Sequence, residues 1–380
     1  MRRQDDIAAS LSRLRAAAAL AHRPIVLMEV CGTHTMSAAR CGLHSLLPPN
    51  VTLLSGPGCP VCVTTQAEID LIITLAQTPG LTLCTYGDMI RVPGTQGEGG
   101  RGGSLERARG RGADVRVIYS AMDAVKLAAA SPDRQVVLIG IGFETTAPAT
   151  AACILEAARL GLANFTVLSC HKRAVPAVAA LFETTEVRVD GLVCPGHVAV
   201  ITGSEAFRPI VERYGKPCAV AGFQEGQMAE ALAWLAECVT EGRAELANLY
   251  PQAVTPQGNP LAMRLLDQVF ETRETAWRGL GAIAGSGLFL RDQWRAFDAH
   301  ARFGVTLPPG GAKEPAGCRC GEVITGRATP AACPLFGQTC TPQDPVGPCM
   351  VSSEGTCHAW YRYRKVGQGK VGIAGEVSHA

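Results

Sequence analysis

The chain has 380 residues, 47% of them hydrophobic and 18% charged, with 35 basic against 33 acidic side chains and a formal charge of +2. That length and apolar share suit a globular protein with two or three cores and exclude a disordered chain. The near balance of charge argues against a nucleic-acid surface that tracks phosphates.

The opening MRRQDDIAASLSRLRAAAALAH carries Asp5 and Asp6 and lacks a continuous apolar core, so it predicts an amphipathic helix and not a signal peptide. No run reaches the roughly 20 apolar residues of a membrane span. The expectation is a cytoplasmic protein with neither membrane nor nucleic acid as partner. In that compartment thiols stay reduced unless they bind metal or do redox chemistry, so the sixteen cysteines are not read as a disulfide framework.

Short β-branched runs then recur at βα spacing: 24–30, 51–55, 81–86 and 115–120, followed by 135–142, 165–170, 190–195 and 217–222. Between them lie Ala- and Leu-rich stretches of helical period such as AEIDLIITLAQ and PATAACILEAARLG, the pattern of parallel sheets covered by helices. The fold class is therefore α/β, with two tandem parallel-sheet units whose clefts face each other and a small C-terminal cysteine-rich iron–sulfur domain. The expected divisions are 1–130, 131–250 and 251–380. The segment GEGGRGGSLERARGRG (97–112) lacks the GK[ST] ending of a phosphate loop and reads as a flexible surface loop. After YPQAVTPQGNP a helix is expected over about 260–278, then GLGAIAGSGLFL, then the tail.

Each unusual motif sits just past a predicted strand. In the first unit these are Cys31-Gly-Thr-His34, the run from Gly56 to Cys62, and Tyr86-Gly-Asp88; in the second, Glu144, His171-Lys172, Pro195-Gly196-His197 and Gly222-Phe-Gln-Glu225. Open parallel sheets bind ligands beyond the carboxyl ends of their strands, so the polar and thiol groups are expected to converge on one cleft. In Cys59-Pro-Val-Cys62 the sulfurs are close enough to chelate one ion or form a disulfide, and Cys31 could add a third sulfur while leaving positions open on a metal. Thiolates suit iron or zinc; zinc would need a fourth ligand, for which His34 is the candidate. A closed zinc site or an inert buried pair is the plainer alternative. His197 and Glu144 are candidate proton donors and acceptors, although such residues at strand ends are often structural. Asp88 and Arg91 are expected to pair with each other, Cys41 is undecided, and the cysteines at 84, 153, 170, 194, 218 and 238 are expected in the core.

Six cysteines crowd into the forty residues from Cys318 to Cys357. Cys318, Cys333, Cys340 and Cys357 are spaced C-x14-C-x6-C-x16-C, with Cys320 and Cys349 left over. There are no paired CxxC knuckles, and the irregular spacing with its Cys333-Pro334 step is closer to an iron–sulfur ligand set than to a zinc ribbon. The two spare thiols would form a thiol/disulfide pair beside a cubane; zinc with two spare cysteines is the alternative.

MEVCGTHT, GPGCPVC, YGDMIRVPG, GFETTAP, PGHV and the tail CPLFGQTCTPQDPVGPCMVSSEGTCHAWYRY, in that order, resemble the HypD family of hydrogenase-maturation proteins along nearly the whole chain. The resemblance implies a scaffold for the Fe(CN)2CO group of nickel–iron hydrogenases, whose large subunit is served indirectly. HypC would help hold the iron, and HypE, with HypF upstream, would deliver cyanide made from carbamoyl phosphate. It also implies that Cys31, Cys59 and Cys62 handle the iron ion while it takes its CN and CO ligands. Cys318, Cys333, Cys340 and Cys357 would hold a [4Fe–4S] cluster, and Cys320 with Cys349 would be the neighbouring redox pair. That arrangement is similar to ferredoxin-dependent thioredoxin reductase. The chain departs from the family pattern at Thr65, where Pro is usual, at Ala199, where Ser is usual, and over Gly222-Phe-Gln-Glu225. Two other classes remain open: an iron–sulfur thiol–disulfide oxidoreductase acting on a protein, and a zinc-stabilised binding module.

Overall fold

The computed structural model describes residues 2–95, 103–183, 187–307 and 313–363. The opening helix spans Arg2–Leu20. All eight predicted runs are strands: β1 (Ile25–Glu29), β2 (Val51–Ser55), β3 (Leu81–Thr85), β4 (Asp114–Val117), β5 (Gln135–Gly142), β6 (Phe165–His171), β7 (Gly191–Pro195) and β8 (Cys218–Ala221). β9 (Leu246–Asn248) is too short to announce itself by hydropathy. These strands form two sheets, ordered β2-β1-β7-β8-β9 and β4-β3-β5-β6, in which every neighbouring pair is parallel. With helices on their faces and a cysteine-rich C-terminal region, the architecture is the expected α/β class.

The division of strands between the sheets is not the tandem one. β1 and β2 belong with β7, β8 and β9, while β3 to β6 make the other sheet, so the chain leaves the first sheet after β2 and returns to it at β7. Asp190 shows why the return docks where it does. Its buried carboxylate accepts from the Val26 N–H at 2.9 Å, and its own N–H donates to Val26 O at 2.7 Å. Arg23 and Arg188 meet the same carboxylate from the half-exposed side. Leu27 is thereby set opposite Gly191, and the apolar faces of β1 and β7 are buried together.

The helix expected over 260–278 stops early. It spans Pro260–Val269, capped by the Asn259 side chain, and gives way to a hairpin of β10 (Phe270–Trp277) and β11 (Gly281–Leu290). ETRETAW has no helical apolar stripe, whereas an extended strand lets Phe270 and Trp277 reach the core and the Trp277 indole donate to Ser286 Oγ at 2.8 Å. The segment 97–112 is also not loop throughout: residues 97–102 lie outside the described residues, and Leu105–Gly110 is a helix capped by Ser104.

One apolar core reaches from β3 and β5 through the helix Pro60–Val63 to Cys320, Ile324, Cys349 and Met350 of the tail, so the tail is packed into the α/β body. Near its centre Lys172 and Glu68, whose side chains are 1% and 5% exposed, pair at 2.9 Å, and Lys172 also donates to Ala276 O. The chemistry-bearing pattern His171-Lys172 is thus a structural anchor joining β6, the helix Gln66–Leu75 and the hairpin. A buried ion pair is costly to break one-sidedly because the remaining charge is left without compensation. Lys172→Met should lower unfolding stability by about 3–5 kcal/mol, read from the midpoint of denaturant unfolding. A Lys172→Met/Glu68→Leu double variant should lose less than the single one.

Candidate functional site

Three loops meet at the carboxyl edge of the five-stranded sheet. Cys31 follows β1 and opens the helix Gly32–Arg40; Cys59 follows β2 and opens the short helix Pro60–Val63; Pro195-Gly196-His197 follows β7. The first two loops touch backbone to backbone. The Gly32 N–H donates to Gly58 O at 3.1 Å, and a Cβ on Gly58 would fall 2.3 Å from Cys31 N, so position 58 must be glycine for the loops to close. Cys59 and Cys62 are joined as a disulfide with Cα atoms 5.2 Å apart, one of the two states their spacing allows. Cys31 is a free, buried thiol beside them.

A cavity of about 110 Å³ opens here, lined by Cys31, Gly58 and His197 from the five-stranded sheet, by Phe143 and Thr145 after β5, and by Glu354 from the tail. The two sheets and the tail therefore share one cleft. It is small beside the roughly 300–1,000 Å³ of sites that take organic ligands, a size that suits a small inorganic group.

Glu354 lies within the quoted tail motif but is not among the candidate site residues that sequence reasoning singles out. Its only signal is being the lone acidic residue between Cys349 and Cys357. Its carboxylate accepts from the Thr33 hydroxyl at 2.6 Å and stands against Gly32, where a Cβ would meet Glu354 Cβ at 2.5 Å. A second carboxyl, the fully buried Glu29, accepts from the Cys31 N–H at 3.1 Å and from the Thr35 hydroxyl. Burial raises Glu29 to about 8, and burial first and Asp88 second raise Glu354. Burial, then Glu354, pushes the Cys31 thiol up to about 12. As built, the cleft keeps its free thiol protonated, and a cation must enter to favour the thiolate.

Other expected site residues are placed differently. His34 does not turn toward the thiol pair: its Nε2 lies 3.2 and 3.0 Å from Ala221 O and Gly222 O after β8, and burial lowers its pKa to about 4. Phe223 packs against both His34 and His197, with ring centroids 4.7 and 3.9 Å away, so the Gly222–Glu225 loop backs His197 from outside the cavity. His197 alone of the two histidines lines the cavity. The Glu144 carboxylate accepts from the Ala174 N–H at 3.1 Å, capping the helix Ala174–Glu183 instead of pointing into the cleft. Asp88 and Arg91 do not pair with each other. Asp88 accepts from Ser352 Oγ and Arg91 donates to Gln343 O, so both fasten the tail. Thr65, at the position where Pro is usual in the pattern, caps the helix Gln66–Leu75 reciprocally with Glu68. Cys41 donates to Ser37 O at its helix end, and the six core cysteines are buried.

The tail brings all six of its cysteines into one neighbourhood. Cys349 adjoins both Cys320 and Cys357, Cys318 and Cys340 lie within electrostatic reach of Cys320 and Cys357, and Cys333 within reach of Cys318 and Cys340. The pair left over by spacing, Cys320 and Cys349, is thus in direct contact. Among the described residues no three His, Cys, Asp or Glu side chains converge on a single ion, as a tetrahedral zinc site requires. The four thiolates of a cubane bind four separate irons and need no common point. The surroundings fit such a cluster. The Val346 N–H points at Cys340 Sγ at 3.3 Å, and a Cβ on Gly347 would come within 2.7 Å of Cys318 Sγ. N–H···S bonds of this kind tune bound clusters. Burial, then Cys320, pushes the Cys318 thiol up to about 12, so here too a metal would have to favour the thiolates.

The two sulfur groups are packed against each other through their helices. Pro348–Val351, carrying Cys349, rests on Pro60–Val63, which carries Cys62; Thr356–Tyr363, carrying Cys357, rests on Gly32–Arg40, which Cys31 opens.

Residues 6–364 match the family model HypD, described as "Hydrogenase formation hypA family". The chain is 46% identical over 354 residues to the hydrogenase maturation factor HypD of Azotobacter vinelandii, covering 92% of each protein. It is 43% identical over 348 residues to that of Rhodobacter capsulatus and 42% identical over 346 residues to that of Escherichia coli K12, with 91% of each chain covered in both cases. With the thiol-lined cleft and the cysteine-rich tail in place over the same span, the chain belongs to the HypD family of hydrogenase maturation factors.

Proposed function

We propose that this protein is the scaffold on which the Fe(CN)2CO group of a nickel–iron hydrogenase is assembled. Iron, the cargo, would be held in the cleft by Cys31 and the reduced Cys59/Cys62 pair, shared with HypC, while HypE delivers cyanide prepared with HypF. The observation that carries this reading is the small cavity lined by Cys31, Gly58 and Pro60, with the buried Cys59 and Cys62 just behind it and the cysteine-rich tail closing one side through Glu354. Thiolates are soft ligands that suit iron, and three of them leave positions open for diatomic ligands. Glu29 accepts from the Cys31 N–H, Glu354 stands on the tail side of the same cavity, and His197 faces it from the opposite loop.

The tail would hold a [4Fe–4S] cluster on Cys318, Cys333, Cys340 and Cys357, which when bound supplies single electrons. Cys320 and Cys349 would work as a dithiol. In the exchange step one of their thiolates attacks the Cys59–Cys62 disulfide, a mixed disulfide forms, and the second thiol displaces it. The outcome is a Cys320–Cys349 disulfide and two free thiols at Cys59 and Cys62, with two electrons and two protons passed. The packing of the Cys349 helix on the Cys62 helix supports this route.

Anaerobically purified protein should be brown, with about four irons and four sulfides per chain. Replacing Cys333 or Cys340 by Ala should remove the colour. Stoichiometric zinc in a colourless, folded preparation would sink the cluster assignment in favour of a binding module.

Cys31→Ala, Cys59→Ala and Cys62→Ala should each prevent hydrogenase maturation while leaving iron and sulfide in the tail unchanged. Maturation persisting in any two of them would return those thiols to a structural role.

Cys320→Ser and Cys349→Ser should keep the cluster and HypC binding yet slow the appearance of infrared bands from iron-bound CO and cyanide. Parental rates in both variants under limiting reductant would end the dithiol relay. A protein that never shows such bands with its partners but reduces a protein disulfide would favour the oxidoreductase reading.

A further inference from the structure

Arg278 follows β10 at the turn of the hairpin, in none of the motifs that carry the family resemblance, and its side chain is 0% exposed. On one side its guanidinium holds the end of the Cys59/Cys62 helix. Nε and Nη2 donate to Thr64 O at 3.2 and 2.9 Å, Nη2 reaches Gln66 Oε1 at 3.4 Å, and the Arg278 N–H donates to Val63 O at 2.9 Å. On the other side the turn is pressed onto the tail. A Cβ on Gly279 would fall 2.4 Å from Gly321 O, and one on Gly321 would lie 3.9 Å from Arg278 Cγ. The acidic groups facing the guanidinium are Cys320, Cys318, Glu68 and Cys349, and Nη1 also meets Glu314.

Arginine stays protonated when buried, and a buried cation carries a large desolvation cost unless an anion answers it. Glu314 answers it from the solvent side, where its own side chain is 42% exposed, and Glu68 is already taken by Lys172, so no carboxylate faces the guanidinium on the thiol side. Protonated thiols supply no charge. A cubane with four thiolate ligands carries net negative charge, and it would lie on the side of Arg278 where Cys318 and Cys320 stand.

We propose that Arg278 is the charge-compensating positioning residue of the tail's sulfur site, holding the cysteine cluster against the end of the Cys59–Cys62 helix and favouring the cluster's reduced state. This rests on the reading that the tail holds a [4Fe–4S] cluster. The physical basis is that a fixed positive charge beside a cluster lowers the cost of adding an electron, since net charge is one of the levers on its potential.

The test is Arg278→Met and Arg278→Lys in the full-length anaerobic protein, with iron and acid-labile sulfide counted and the cluster titrated with dithionite and mediators under electron paramagnetic resonance. Arg278→Met should hold its cluster with a more negative midpoint, at least a tenfold smaller reduced-to-oxidised ratio at the parental midpoint, or about 59 mV for a one-electron couple. Arg278→Lys should recover most of that shift. A cluster lost from Arg278→Met and kept in Arg278→Lys would support the same role for the charge. Arg278→Met with a full cluster at the parental potential would overturn the proposal, as would loss of the cluster from both variants, which would leave only the bonds to Thr64. A parental protein without a cluster would instead remove the proposed function, and this inference with it.

Discussion

Parallel pairing of β7 with β1 is the constraint on which the cleft depends. Because the strands run the same way, their carboxyl ends lie on one edge, and the residues just beyond them become neighbours whatever their distance in sequence. Asp190 secures that pairing from inside the sheet by taking the Val26 N–H. Cys31 and His197 therefore face one cavity although 166 positions separate them in the chain, 197 minus 31. The second sheet contributes Phe143 and Thr145 from the end of β5, so the site is built from two strand edges.

The tail completes what the strands begin. Its helices are too short to be stable alone, and they obtain their stability by burying Cys320, Ile324, Cys349 and Met350 in the core that the α/β body already has. The same packing delivers Glu354 to Thr33 and the Cys349 helix to the Cys59/Cys62 helix. Ser352 on Asp88 and Gln343 on Arg91 also tie the tail to the loop after β3.

Both sulfur sites have the same electrostatic character. Burial together with neighbouring acids or thiols pushes Cys31 and Cys318 up, so both thiols are protonated and only an added positive charge would favour their thiolates. In the cleft, Glu29 accepts from the Cys31 N–H and Glu354 adds to the rise of the Cys31 thiol.

Strand positions were legible from sequence because fully buried parallel strands are continuous β-branched runs, and the eight runs became β1 to β8. The cysteine inventory, the motifs at strand ends and the clustering of the tail thiols could be read the same way, since each is a matter of residue type and local spacing. Which strand neighbours which could not, because pairing is chosen by long-range burial and by contacts such as Asp190 with Val26. Tertiary structure also decided the roles of individual polar residues. His34 turned to the carbonyls after β8, Glu144 to a helix end, and Lys172 to Glu68, each satisfying a buried hydrogen-bonding need that local sequence does not display. Glu354 and Arg278 acquired their places beside sulfur for the converse reason. Sequence by itself determined the strands, the thiols and the family pattern; only the packing of the tail onto the sheet edge decided which charges those thiols face, because electrostatic influence follows distance in space and burial, not position along the chain.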